Sequence, residues 1–379
     1  MYEGPASPRC EKRILAFDAV RAWAMLLGVL FHGSVAYMVR PLPELLWPVR
    51  DQAAVPFFDL LFWWIHSFRM PLFFVVAGYF AEATAARSGP AALLASRGRR
   101  LLVPFAGACL VVLPAVFGVW ALGWWQQGRA GLSEIRRLRF LDPVLQGGFL
   151  GPAHLWFLED LFVLVLCFAA LRPWLVRWRA AAGLLPLAGA ILLALDPAVF
   201  TAFRNGFVPD PSRLAWNGTF FVAGALLRAF PEALLPLARW SPLLLALSAV
   251  VAGTAVLLGS PGVVTPSGPS ARALYATAVV LLAWLTALGL LGLSLRVPWP
   301  PEGRWRGLAD TAYWVYLTHL PVVGAMQILV APWRVPAALK LAVVVAATAF
   351  LTVASGRRLV RWGPLAPWIG RAAPARGRA

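Results

Sequence analysis

Between Ile14 and Val39 the chain is apolar except at a few positions, and three of these, Asp18, Arg21 and His32, carry ionisable groups. Eleven helical steps from Arg21 to His32 are close to a whole number of turns, so the two side chains share one face, about 16 Å apart along the axis. An ionisable group at membrane depth costs about 2.5–3.5 kcal/mol on insertion scales, which is why such groups usually mark a site or a water-filled path. A guanidinium near one leaflet and an imidazole deeper in would together supply anion recognition and proton transfer inside the bilayer.

The same kind of intrusion recurs in three further apolar runs. Trp63-Trp64-Ile65-His66-Ser67-Phe68-Arg69-Met70-Pro71 places His66 and Arg69 three residues apart, on one helical face, just before a proline that frees a backbone carbonyl. His154-Leu155-Trp156-Phe157-Leu158-Glu159-Asp160 opens another run with two carboxylates. Tyr313-Trp314-Val315-Tyr316-Leu317-Thr318-His319-Leu320-Pro321 carries the last of the chain's 4 histidines. Each intrusion has a plainer reading beside the chemical one. Asp18 and Arg21 suit an internal ion pair that lowers the insertion cost. Arg69 could pair with Glu159 or Asp160 to hold helices together, His154 could be an interfacial group, and His319 could cap a neighbouring helix. Trp124-Trp125 and Trp299 read as an interfacial belt.

These residues need membrane helices to position them. Of the 379 residues, 60% are hydrophobic and 13% charged, against roughly 25% charged in soluble domains. The net charge of +18 raises nucleic acid as a partner, but the basic residues sit in short clusters between apolar runs, as topogenic anchors do. No nucleic-acid partner is expected. The 3 cysteines, Cys10, Cys109 and Cys167, lie too far apart to suggest a disulfide framework or a metal site, and packing is their expected role. The basic N-terminus and its apolar run exceed a signal-peptide core and read as a retained first span.

At about 20 apolar residues per span, the chain divides into an all-α, polytopic membrane bundle of about ten helices. They are expected near 14–39, 57–83, 101–125, 153–171, 181–200, 214–230, 242–260, 272–295, 308–330 and 337–355. Most of the 34 basic residues then fall on the side of the N-terminus, which places both termini in the cytoplasm. Arg129, Arg136, Arg137 and Arg139 run against that rule in an outer loop at 126–150. Turns are expected at Pro41 and Pro43, Gly89-Pro90, Pro261-Gly262, Pro266 to Pro269 and Pro298 to Pro301. Residues 1–355 read as one transmembrane domain and 356–379 as a basic cytoplasmic tail on the inner leaflet.

Phe17-Asp18-Ala19-Val20-Arg21-Ala22-Trp23, ending in Phe31-His32, resembles the first span of the acyltransferase 3 family of membrane acyltransferases. The run from Ile65 through Arg69 to Phe74, followed by Gly78-Tyr79-Phe80, narrows the resemblance to the branch typified by glucans biosynthesis protein C. His154 to Leu158, Tyr316 to Pro321, and Arg97-Gly98-Arg99-Arg100 before Leu101-Leu102-Val103-Pro104 extend it over about residues 12–360.

That resemblance implies transfer of an acyl group, succinyl or acetyl, from cytoplasmic acyl-CoA to a hydroxyl of an exported saccharide such as periplasmic glucan. Acyl-CoA is then a donor substrate, with no permanently bound cofactor and no metal. His32 is expected as general base, assisted by His66, Arg69 and Glu159 at the reacting centre. Arg21, Arg97, Arg99 and Arg100 are expected to hold the CoA phosphates, although topogenic charge explains the last three equally well. Asp18, His154, Asp160 and His319 are expected around the substrate. No Ser or Cys stands out as a nucleophile, which favours direct transfer. The expected place is the bacterial inner membrane. The competing readings are a proton-coupled secondary transporter, for which two related halves with broken helices are not found, and an acyltransferase acting on a lipid, peptidoglycan or a small molecule.

Overall fold

The computed structural model describes residues 8–40, 45–141, 145, 151–177, 179–201, 204–257, 268–300 and 304–361. The expected turns at Pro41 and Pro43 and at Pro261-Gly262, and the tail from residue 362 onward, lie outside the described residues. The described residues form helices and turns with no strand.

The helices are α1 (Pro8–Ser34), α2 (Pro56–Gln126), α3 (Leu132–Arg137), α4 (Trp156–Arg177), α5 (Leu185–Leu195), α6 (Ala198–Thr201), α7 (Pro211–Ala229), α8 (Leu234–Leu257), α9 (Pro269–Arg296), α10 (Arg304–Val330) and α11 (Ala337–Arg361). Seven are long and apolar enough to cross a membrane, α2 being counted once with its 71 residues. The protein is a polytopic membrane protein.

Three departures from the expected partition have local physical causes. The second and third expected spans are one helical run, broken only at Gly89, whose φ of 81° is open to glycine and costly for other residues. Pro90 restarts the helix at a position where its missing N–H costs nothing. The anticipated loop at 84–100 is therefore helical. The arm 90–126 is about 55 Å long, well beyond a hydrocarbon core of about 30 Å. Arg97, Arg99 and Arg100 ride on this extension. The expected span at 181–200 is interrupted: α5 has 11 residues, about 16 Å of helix, and Asp196-Pro197 ends it before the short α6. Finally, α11 continues through the expected domain boundary to Arg361.

α1 is the hub, packed by α2, α9, α10 and α11, while α4 and α7 flank the first arm of α2 and α8 pairs with α9. The α2–α7 crossing is close because Gly78 faces the Phe221 carbonyl and Gly224 faces the Val75 carbonyl, where a Cβ on either would collide with backbone. Small residues at a crossing are how membrane helices gain packing without a hydrophobic drive between them. Among the described residues, several ion pairs tie separate elements together. Arg172 forks onto Glu82 (2.7 and 2.8 Å), Arg213 onto Asp160 (2.8 and 3.0 Å), and Lys340 reaches Asp51 (2.7 Å).

The segment after α1 closes one end of the bundle. Asp59 accepts the backbone N–H groups of Val39 and Arg40, and Asp51 N–H donates to the Ala36 carbonyl. Trp120 and Trp124 on the second arm of α2 donate to the carbonyls of Leu46 and Trp47. Gln127 exchanges two hydrogen bonds with the backbone of Arg50. Residues 45–51 thus form a strap tied to both α2 and α11. Trp124 is buried in this tie, so it is not part of an interfacial belt, whereas its neighbour Trp125 is exposed.

Candidate functional site

Beneath the strap is a cavity of about 490 Å³, lined by residues from α1, α2, α10, the strap, the turn before α4 and the loop before α7. Helical periodicity selects what reaches it. Met25, His32 and Arg69 face inward from α1 and α2, and Tyr316 and His319, three residues apart on α10, do the same. All four histidines of the chain line this one cavity, together with Arg69. The ring of His319 lies 5.2 Å from that of His32 and 5.2 Å from that of His154, so the three form a continuous row.

The surroundings set which ring nitrogen carries a proton. His66 Nε2–H donates to the Phe200 carbonyl (3.1 Å), and His154 Nε2–H to the Leu317 carbonyl (3.1 Å). His319 Nδ1–H donates to the carbonyls of Tyr316 (2.8 Å) and Val315 (3.0 Å). A carbonyl only accepts, so a neutral ring held this way keeps its other nitrogen as a bare lone pair. Neither ring nitrogen of His32 has a hydrogen bond among the described residues, and its Nδ1 is buried without a partner. Tyr316 Oη donates to the His154 carbonyl (2.8 Å) and thereby fixes the start of α4 against α10.

The guanidinium of Arg69 sits 4.6 Å from the centre of the Phe31 ring and lies against Gly28, where a Cβ would be 2.6 Å from its Nη1. It forms no ion pair among the described residues, and its Nε is buried without a partner. A cation held over an aromatic face and left without an anion suits an anionic ligand or a developing oxyanion. The interrupted helix at α5 and α6 contributes here too, because it delivers the Phe200 carbonyl and ring to His66.

The remaining expected site residues lie elsewhere. Asp160 is fully buried in its ion pair with Arg213, whose guanidinium also stacks on Trp156 at 4.6 Å; it does not line the cavity. Glu159 is next to Asp160 on α4, outside the lining, with one buried oxygen unpartnered. Asp18 and Arg21 form an i, i+3 ion pair (3.0 Å) at the other end of α1, half-exposed. Arg97 lies within electrostatic reach of both Arg100 and Arg21, so the basic cluster gathers several turns away from the histidines. Arg99 is exposed, with its Nε near the Ala95 carbonyl.

Trp47 and Gln327 belong to the site without having been singled out in the sequence, and Cys109 was expected only to pack. Cys109 lines the cavity instead of only packing. Trp47 Nε1–H donates to Gln327 Oε1 (2.8 Å), and Gln327 Nε2 donates to the Gly33 carbonyl (2.9 Å), directly after His32. A lone amide inside an apolar span was the available signal for Gln327. Trp47 offered none, since its meaning depends on a loop folding back.

Comparison with known proteins gives the site a setting. Glucans biosynthesis protein C from Escherichia coli (strain K12) is 31% identical over 159 residues, covering 42% of this chain and 38% of the relative. The protein of that name from Escherichia coli O157:H7 is 29% identical over 247 residues, covering 60% of this chain and 61% of the relative. The matched regions therefore span less than two thirds of these relatives. No solved structure matches the chain. The family model described as an acyltransferase domain matches residues 14–356, and the chain, a membrane protein with four histidines and Arg69 around one cavity, belongs to that acyltransferase 3 family.

Proposed function

We propose that this membrane acyltransferase moves an acyl group, succinyl or acetyl, from cytoplasmic acyl-CoA to a hydroxyl of an exported saccharide such as periplasmic glucan. The observation that carries this reading is the placement of His32 and of Arg69, which has no ion pair among the described residues, on one cavity. A bacterial inner membrane with both termini in the cytoplasm, and ten crossings once the two arms of α2 and the shorter helices are counted, fits the same reading.

His32, whose ring nitrogens have no hydrogen bond among the described residues, takes the proton of the acceptor hydroxyl as its oxygen attacks the thioester carbonyl carbon. The negative charge that develops on the carbonyl oxygen is met by the Arg69 guanidinium, which also suits the free carboxylate of a succinyl group. The tetrahedral species collapses, the carbon–sulfur bond breaks, and the CoA sulfur leaves with the proton returned by His32. An ester and free CoA result, and the base is regenerated. Arg21, Arg97, Arg99 and Arg100 would hold the CoA phosphates at the far end of α1, with the pantetheine arm covering the about 16 Å to His32. Direct transfer is favoured because the only thiol on the cavity, Cys109, has no base positioned by a hydrogen bond to it among the described residues.

The test is CoA release by purified wild type and His32→Ala, with succinyl-CoA or acetyl-CoA and a panel of saccharides. Acceptor-dependent release by wild type alone supports the reading. Equal turnover by folded His32→Ala removes His32 from the chemistry, and release without any acceptor dependence points to hydrolysis instead of transfer.

A further inference from the structure

His154 and His319 share a feature that general-base chemistry at His32 does not use. Each spends its N–H on a backbone carbonyl, and each leaves its other ring nitrogen (His154 Nδ1, His319 Nε2) buried without a partner, on residues that line the same cavity. The rings are 5.2 Å apart at 86°. Buried acceptors left unmade are costly, so a pair of them on a cavity wall calls for donors from a ligand.

Three kinds of donor are conceivable: a metal ion, an ammonium group, or hydroxyls. Among the described residues no group of three His, Cys, Asp or Glu side chains comes together closely enough to hold a metal. An ammonium would sit in the same cavity as the unpaired Arg69 and be repelled. Neutral hydroxyls meet neither objection. Two oxygens on adjacent carbons lie about 2.8 Å apart, and hydrogen bonds of about 2.8 Å from each can reach acceptors on two neighbouring rings set at right angles.

We propose that His154 Nδ1 and His319 Nε2 form a paired acceptor that reads a diol on the acceptor substrate, next to the hydroxyl presented to His32. It rests on the acyl-transfer reading for the identity of that substrate, and it makes the acceptor a neutral polyol with at least two neighbouring hydroxyls. The cavity then has two ends: the histidine row takes hydroxyl donors, and Arg69 takes the anionic or carbonyl end of the acyl group.

The test is equilibrium binding of radiolabelled methyl β-D-glucopyranoside to the full chain in nanodiscs free of sugar detergents, with competition by its monodeoxy analogues. No donor is present, so binding is read separately from transfer. At least two monodeoxy analogues should compete about tenfold worse than the parent or more, the direction expected when a site built for a hydroxyl meets an analogue without it. In His154→Phe and in His319→Phe the penalty for one deoxy position should vanish. His154→Gln, which keeps an acceptor oxygen, should restore it.

Wild type needs no variant to refute the idea. Deoxy analogues that compete as well as the parent overturn it, as does absence of saturable binding or a penalty that survives both phenylalanine variants. Intact diol preference with no transfer would sink the acyl-transfer reading alone. Transfer that accepts every deoxy acceptor equally would sink the diol reader alone.

Discussion

The Trp47 indole lies parallel to the His32 imidazole, with ring planes 5° apart and centroids separated by 5.8 Å. Among the described residues no hydrogen bond holds either ring nitrogen of His32, so its plane rests on ring packing: the parallel Trp47, together with Phe31 at 4.9 Å and His319 at 5.2 Å. Trp47 is fixed in turn by Gln327, whose amide also holds the carbonyl directly after His32. One amide on α10 therefore governs both the backbone and the ring orientation of the proposed base.

Replacing Gln327 with Leu removes both bonds and leaves the Trp47 N–H and the Gly33 carbonyl buried and unmet. The expected cost is about 1–3 kcal/mol for each unmet group, seen as a lower unfolding temperature. Beyond that cost, kcat should fall about tenfold or more with KM nearly unchanged, because a misplaced base loses transition-state stabilisation without losing binding. A Gln327→Leu protein that is less stable but turns over normally would show that the amide serves folding only.

Gly28 is the natural probe of Arg69. A methyl group there would occupy the space of Nη1, at 2.6 Å, so Gly28→Ala should push the guanidinium off the Phe31 face. Alanine is itself a better helix former than glycine by about 1 kcal/mol, so the helix has no reason to weaken. The expected result is a loss of kcat/KM approaching that of Arg69→Ala, in a protein that expresses and melts like wild type. If Gly28→Ala retains full activity, the position of Arg69 over Phe31 is not what the reaction needs.

Much of this arrangement was legible in the sequence, and the parts that were not share a cause. Arg21, His32, His66, Arg69, His154 and His319 stood out because an ionisable group in an apolar run is expensive whatever it contacts. Which of them meet was not legible, because helix-to-helix pairing is a long-range property. Asp160 illustrates the limit: adjacent to Glu159 in a polar pair, it found its partner in Arg213, 53 positions away, so its charge is spent on joining α4 to α7. Phe200 is the reverse case. The run at 181–200 reads as a full span by composition, and Asp196-Pro197 cuts it so that its end reaches His66.

The Asp160 arrangement gives a prediction that separates structure from chemistry. Asp160→Ala would leave the Arg213 guanidinium partly buried and unpaired, and removing one partner of a buried pair costs about 3–5 kcal/mol. Expression and thermal stability should drop sharply. The molecules that do fold should keep a KM for acceptor close to that of wild type, because the carboxylate lies outside the cavity. A raised KM at normal stability would return Asp160 to the substrate.

The loop before α7 carries Asn205 and Phe207 over the cavity, and its anchor is electrostatic. Arg204 bonds to Asp196 and Asp210, and Asp210 caps α7 by accepting the Arg213 N–H (3.0 Å). Burial alone would raise the Asp210 carboxyl, but the Arg204 and Arg213 hydrogen bonds outweigh it and hold the group below the ordinary carboxylate range. A carboxyl lowered by folding contributes stability above its unfolded value, near 3.9, and loses it as pH falls through the lower folded value. Asp210→Asn keeps a competent helix cap and removes only the charge. The gap in melting temperature between wild type and Asp210→Asn should therefore be full at pH 7 and close progressively below about pH 4. A gap that stays constant down to pH 3 would mean that the charge on Asp210 does not hold the loop, and that the cap alone fixes this wall of the cavity.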